Sequence, residues 1–360
     1  MKRIIYYDAI KCFAIYLVIF FHGTVSDVNI LNDSGAITFF NYFLQSLLST
    51  CVPLFFMVNG ALVLNKEFNL RKNIHKIIKL FILVNIWAFL LIILLKYITH
   101  DTYTWDSLLK SVWSLKLGKL NHLWFLKALI SIYLLLPLIK PAYDNSDRSI
   151  LYFTVAGLFL FSFGNNFIGN IVNAAQYFAG VDFLPDKFNF FPDINPFGDY
   201  FYALVYFIAG GILSKMILEN KIAVRKSILV AVVILSQTIL FLYGILMTIK
   251  TNAYYCVVWN GYETLMTLSM TISLFILFLG FRYKSDFINK IMFIVGKNTF
   301  GIYIVHVIFI PLLSPFFTRY PFLSNNLPAN FLYAGIVLLL SLFAAVLIRK
   351  IPILSSLVKV

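Results

Sequence analysis

The stretch "YYDAIKCFAIYLVIFFHG", residues 6–23, reads as a membrane helix, yet it holds Asp8, Lys11 and His22. Ionisable groups at bilayer depth are costly and are retained where they meet a partner or line a site. Eleven positions separate Lys11 from His22, which on an α-helix is three turns plus about 20° and a rise of roughly 16 Å. The two therefore share a face. Asp8 lies one turn below Lys11 on the same side, with Ile15 and Val18 filling the stripe between Lys11 and His22. Two readings follow: the three groups line a reaction site, or Asp8 pairs with Lys11 for structure while His22 reaches the outer interface.

The rest of the chain has the same character. Of its 360 residues, 61% are apolar and 12% charged, whereas a soluble domain carries about a quarter charged residues. Apolar runs near the length needed to span roughly 30 Å of hydrocarbon recur near 4–25, 39–63, 77–98, 122–142, 149–170, 199–218, 227–248, 255–280, 291–313 and 329–350. The expected fold is all-α: a polytopic integral membrane protein of about ten transmembrane helices. A single transmembrane domain over 1–360 is expected, with no appended soluble domain. The net charge of +14 does not mark a nucleic-acid partner. With the N-terminus inside, twenty of the 29 basic residues fall on cytoplasmic segments, the asymmetry that orients membrane proteins. Both termini are thus expected in the cytoplasm, and the bilayer accounts for the composition.

Two connections are long. Residues 99–121 place Leu108, Leu109, Val112, Trp113 and Leu115 at helical spacing, as in a short helix lying on the outer leaflet. Residues 171–198 contain Pro185, Pro192 and Pro196, which bar a regular helix and predict an extracytoplasmic loop. Pro53 and Gly60 interrupt the second span, giving a kink or a close helix approach. Cys12, Cys51 and Cys256 sit in apolar surroundings without metal-ligand spacing, so no metal is expected.

Further polar groups recur at membrane depth. Glu263 falls in the eighth span, His122 at the outer end of the fourth and His306 in the outer half of the ninth. Three of the five histidines thus come to similar depth on three helices, together with a carboxylate. That convergence is what general acid–base chemistry requires, although a proton-coupled transporter would show it too and each histidine taken alone reads as a packed or interfacial residue. On the cytoplasmic side Arg71, Lys72, Lys76 and Lys79 cluster. They are either ordinary orienting charge or a seat for a phosphorylated ligand.

Four stretches carry a resemblance: "RIIYYDAIKCFAIYLVIFFHG" with Arg3, Asp8, Lys11 and His22; "VPLFFMVNGALVLNK" with Asn59 and Gly60, followed by the basic segment; "HLWFLKALISIYLLLP" with His122 and Trp124; and "GKNTFGIYIVH" with Tyr303 and His306. In this order, on a ten-helix frame, the chain resembles the membrane acyltransferase-3 family, bacterial integral membrane proteins that acylate extracytoplasmic glycans. It departs from that pattern where Asn59 stands for a usual Ser, Thr299 for another, and Lys76-Ile-Ile-Lys79 for Arg-x-x-Arg. Lysine keeps the charge but loses the bidentate fork of arginine.

The resemblance implies transfer of an acyl group, most often acetyl, from cytoplasmic acyl-CoA to a hydroxyl of a cell-surface or lipid-linked glycan at the cell membrane. Donor phosphates would dock on Arg71, Lys72, Lys76 and Lys79. His22 would act as general base or as a transient acyl carrier. Asp8 or Glu263 would orient His22 or Lys11, and His122 or His306 would stabilise charge on the thioester oxygen. The competing reading is a non-enzymatic carrier or flippase for a lipid-linked sugar. Carriers are commonly built from repeated halves with broken helices; no repeat is evident in the sequence, and only the second span is plainly interrupted.

Overall fold

In lipid the only hydrogen-bond partners for a peptide group are other protein groups, so a chain this apolar folds as helices. The computed structural model describes residues 4–25, 30–32, 35–99, 104, 110, 122–145, 147–181, 200–219, 224–281, 283–320, 323 and 326–359. Helices run in the order α1 (Ile5–Phe20), α2 (Ala36–Leu48), α3 (Cys51–Leu64), α4 (Leu70–Thr99), α5 (Trp124–Asp144), α6 (Ser149–Phe159) and α7 (Asn165–Ala179). After these come α8 (Tyr202–Leu218), α9 (Lys226–Thr251), α10 (Leu265–Leu279), α11 (Asp286–Thr318) and α12 (Leu327–Lys350). One π turn, Phe21–Val25, follows α1, and another, Leu160–Gly164, joins α6 to α7. Eight of the helical segments are long and apolar enough to cross a membrane, and α8 and α10 are shorter apolar helices. The ten expected spans fall on these ten segments, and among the described residues there are no strands. The protein is an all-α, multi-pass membrane protein.

Several expectations change in detail. The π turn begins at Phe21, so the 100° step that put Lys11 and His22 on one face ends at Phe20. The second span breaks at Ser49–Thr50, before Pro53 rather than at it. The proline ring denies the Ser49 carbonyl its i+4 donor, and the break is closed by the Ser49 and Thr50 hydroxyls, which donate to the carbonyls of Ser46 (2.7 Å) and Leu47 (2.8 Å). The helix expected to end at 170 continues to Ala179, where Gly180 adopts φ 65 and terminates it; the remainder of the expected loop, 182–199, lies outside the described residues, as does nearly all of 99–121. The eighth span starts at Leu265, because the Thr264 hydroxyl caps the Thr267 N–H (3.2 Å). Glu263 is therefore in the turn preceding α10 and not within a helix.

The chain divides into two compact units, one comprising Met1–Ala14, Val25–Lys66 and Ala142–Lys284, the other Ile15–Thr24, Glu67–Pro141 and Ser285–Val360. In the first, α3 and α8 touch backbone to backbone. A Cβ on Gly60 would stand 1.7 Å from the Phe207 carbonyl oxygen, and one on Gly210 2.1 Å from that of Met57. Small residues at facing positions permit this approach, the usual way that membrane helices gain van der Waals contact. Tyr143 reinforces the seam by donating to Asn65 Oδ1 (2.7 Å) and to the Gly211 carbonyl (3.0 Å). In the second unit α11 and α12 pair antiparallel. Gly301 lies against Ala345, and Arg349 donates to the Lys297 carbonyl (2.9 Å) and Asn298 Oδ1 (3.1 Å). Trp87 of α4 donates to the Leu357 carbonyl (2.7 Å) in the short Leu354–Val358 turn that follows α12.

Gly60→Leu should separate α3 from α8. Overpacking of this kind costs about 1–3 kcal/mol when neighbours can shift, and here the obstacle is backbone. The expected result is a lowered thermal midpoint in detergent together with poor recovery; an unchanged midpoint would show the seam to be looser than described.

Candidate active site

Three of the residues singled out from sequence meet in the second unit. The imidazole centroids of His22 and His306 are 5.7 Å apart, and those of His122 and His306 are 5.8 Å apart. Tyr303, one turn before His306 on α11, lies 5.8 Å from His122 and 5.9 Å from His306 by ring centroids. Its hydroxyl donates to the His122 carbonyl. His306 is fully buried, His122 nearly so, and His22 partly exposed. Neither ring nitrogen of His306 has a hydrogen-bond partner among the described residues. The three rings are gathered without metal-site geometry: among the described residues no group of three His, Cys, Asp or Glu side chains is placed to hold a metal ion.

Each ring is held from behind. His22 sits in the π turn, next to Phe20, whose ring stacks on Phe331 of α12 at 4.6 Å. Tyr16, one turn earlier, donates to the Phe331 carbonyl (2.9 Å). Gly23 lets Tyr333 approach, since a Cβ there would come within 2.9 Å of its ring. π turns concentrate at functional positions because the extra residue redirects a side chain. His306 projects from α11, which α12 braces through Gly301 and Arg349. His122 opens the single turn before α5 and is tied by the Tyr303 hydroxyl. Trp124 is the first residue of α5 and half-buried. Phe331 and Tyr333 were not legible as support; only aromatic spacing on the last helix hints at them.

Asp8, Lys11, Asn59, Gly60 and Glu263 belong to the first unit. Asp8 is 2% exposed and Lys11 half-buried. Asn59 donates to the Phe55 carbonyl of its own helix (2.8 Å), and Gly60 serves the seam described above.

The basic segment is the start of α4, in the same unit as the histidines. Asn69 caps the helix by accepting from the Lys72 N–H (2.9 Å). Arg71 and Lys72 are exposed in the first turn, and that turn holds no acidic residue. Cations at a helix N-terminus oppose the macrodipole, so positive charge is concentrated in that turn, with Glu67 before the cap as the nearest acidic residue in the sequence. Such an end favours anions. The Lys76 ammonium lies 4.3 Å from the centroid of the buried Tyr133 ring, a cation–π seat. Lys79 is half-buried. Between them stands a residue that spacing did not flag: Asn73 donates to the Tyr133 carbonyl (2.8 Å). That carbonyl precedes Pro137 by four positions, so proline has removed its helical donor.

A family model described as an acyltransferase domain matches residues 4–350. The chain belongs to the acyltransferase-3 family. No curated protein and no solved structure matches it. A match over nearly the whole chain makes the protein a membrane acyltransferase, and the functional residues of this acyltransferase are to be sought among the polar groups above.

Asn73→Ala should unlatch the start of α4 from α5 by leaving the Tyr133 carbonyl buried and unsatisfied. The expected loss is about 1–3 kcal/mol, read as a lower denaturation midpoint of purified protein. Asn73→Asp, which cannot donate to a carbonyl, should be no better than alanine.

Proposed function

We propose that this acyltransferase moves an acyl group, acetyl in the first instance, from cytoplasmic acyl-CoA to a hydroxyl of a cell-surface or lipid-linked glycan, at the plasma or inner membrane with both termini in the cytoplasm. The observation that carries the reading is the gathering of His22, His122 and His306 in a chain of an acyltransferase family. Acyl transfer to an alcohol needs a base at the hydroxyl, charge stabilisation at the thioester oxygen and exclusion of water. Buried imidazoles of different exposure meet the first two needs, and a helical membrane interior meets the third.

In this reading His22 removes the hydroxyl proton as the oxygen attacks the thioester carbonyl. The carbon–sulfur bond then breaks and CoA leaves as the thiol. His122 faces the developing oxyanion. Arg71, Lys72 and Lys79 take the donor phosphates at the first turns of α4, where the helix end adds to their charge. Lys76, seated over Tyr133, supports the long-range field more than it contacts phosphate.

The primary test is acyl transfer by detergent-purified protein, with CoA thiol release as readout and mass analysis of surface glycans from cells with and without the protein. His22→Ala should lower transfer by about 10²–10⁴-fold while donor binding persists; near-normal turnover would remove this histidine from the chemistry. Arg71→Ala combined with Lys79→Ala should raise the donor KM and leave kcat nearly unchanged, because phosphate contacts are the same in ground and transition states. A collapse of kcat at constant KM would take these cations out of a binding role.

A further inference from the structure

We propose that His306 is the proton relay of the site: it receives from His22 the proton that His22 takes from the acceptor hydroxyl and passes it on to the departing thiolate. The inference rests on the base role of His22 given above and adds the step that role leaves open. A base that has become charged in a dry interior must lose its proton before the next turnover, and the thiolate must gain one. The balance closes without a further reactant: the acceptor O–H and the acyl C–S bonds break, the ester C–O and the thiol S–H bonds form, and one proton travels between them.

The geometry singles out His306 for this task. Its ring is fully buried, and neither nitrogen has a hydrogen-bond partner among the described residues. Buried polar side chains are rarely left so, which marks a group whose partner is present only during the reaction. His22 is close enough, at 5.7 Å between ring centroids, for contact directly or through one water. Of its other polar neighbours, the Tyr303 hydroxyl is engaged by the His122 carbonyl, and the His122 ring, 5.8 Å away by centroids, is assigned to the developing oxyanion in the mechanism above. A neutral imidazole has one donor and one acceptor nitrogen, so it can accept on one side and release from the other without moving. Moving is in any case opposed, because α11 is braced by Ala345 against Gly301 and by Arg349 on Asn298.

The test compares His306→Gln, which retains hydrogen bonding but cannot carry a proton, with His306→Ala, which leaves a hole of imidazole size. Both purified variants are assayed for acyl transfer beside His22→Ala, with folding checked by thermal midpoint. Expected for His306→Gln is a fall in kcat of about 10²-fold with an unchanged donor KM. Added imidazole should restore activity to His306→Ala, more strongly for more basic imidazoles, whereas pyrrole, which fills the same hole without accepting a proton, should not. Rescue by both molecules alike would show that His306 only packs. Transfer within twofold of wild type in His306→Gln, with His22→Ala inactive, would overturn the relay and leave the base intact. Wild-type rates in both would overturn the base reading and the relay with it.

Discussion

A carbonyl that loses its helical donor inside a membrane must find another in the protein, because lipid supplies none. Several prolines within the described helices impose that demand, and the answers made to three of them organise much of the structure. Pro137 strips the Tyr133 carbonyl, and Asn73 of α4 supplies the donor. Pro315 strips the Pro311 carbonyl, and the Ser314 hydroxyl turns back to it (3.4 Å). Pro53 breaks the second span, and the Ser49 and Thr50 hydroxyls close the end of α2. The first of these answers has a functional consequence. It ties the cationic first turns of α4 to the helix that begins beside His122, so the basic segment and the imidazoles belong to one braced assembly.

Close packing performs the second part of the work. Tyr303 reaches the His122 carbonyl only because α11 carries it at the right height, and α11 is held against α12 where Gly301 admits Ala345. Gly23 does the same for the π turn by admitting Tyr333. Bundles without a hydrophobic driving force between helices depend on such small-residue contacts. Loss of one shifts helices relative to each other, and with them the distance between imidazoles. In the proposed mechanism, chemistry at this site is accordingly coupled to contacts that never touch a substrate.

Much was legible in the residues themselves. The ten apolar runs follow from the length of chain a bilayer demands, and all ten coincide with helices. Counting residues from helix ends gave His22, His122 and His306 a similar expected depth, since rise per residue is fixed. The family was readable from four motifs because their residue types stand at spacings that the fold requires. Local reading failed where an end or a turn, rather than a span, decided the outcome. Glu263 looked helical because hydropathy averages over a window, whereas the Thr264 cap that starts α10 beyond it acts through a single hydroxyl. The arithmetic that set Lys11 and His22 on one face assumes 3.6 residues per turn, and the π turn at Phe21 departs from that period.

By itself, then, the sequence determined that this chain is a helical membrane protein of an acyltransferase family, with basic and imidazole side chains at defined positions along its helices. Those properties depend on local composition and on periodicity, which are written residue by residue. Only the tertiary structure decided that the rings of residues 22, 122 and 306 meet, that Asn73 answers Pro137, and that Lys76 rests on Tyr133. Depth is a coordinate along a helix axis, but contact also requires rotation about that axis and the choice of neighbouring helix. Both are set by how glycines, aromatics and freed carbonyls pack between segments far apart in the chain, and no spacing within one segment records them.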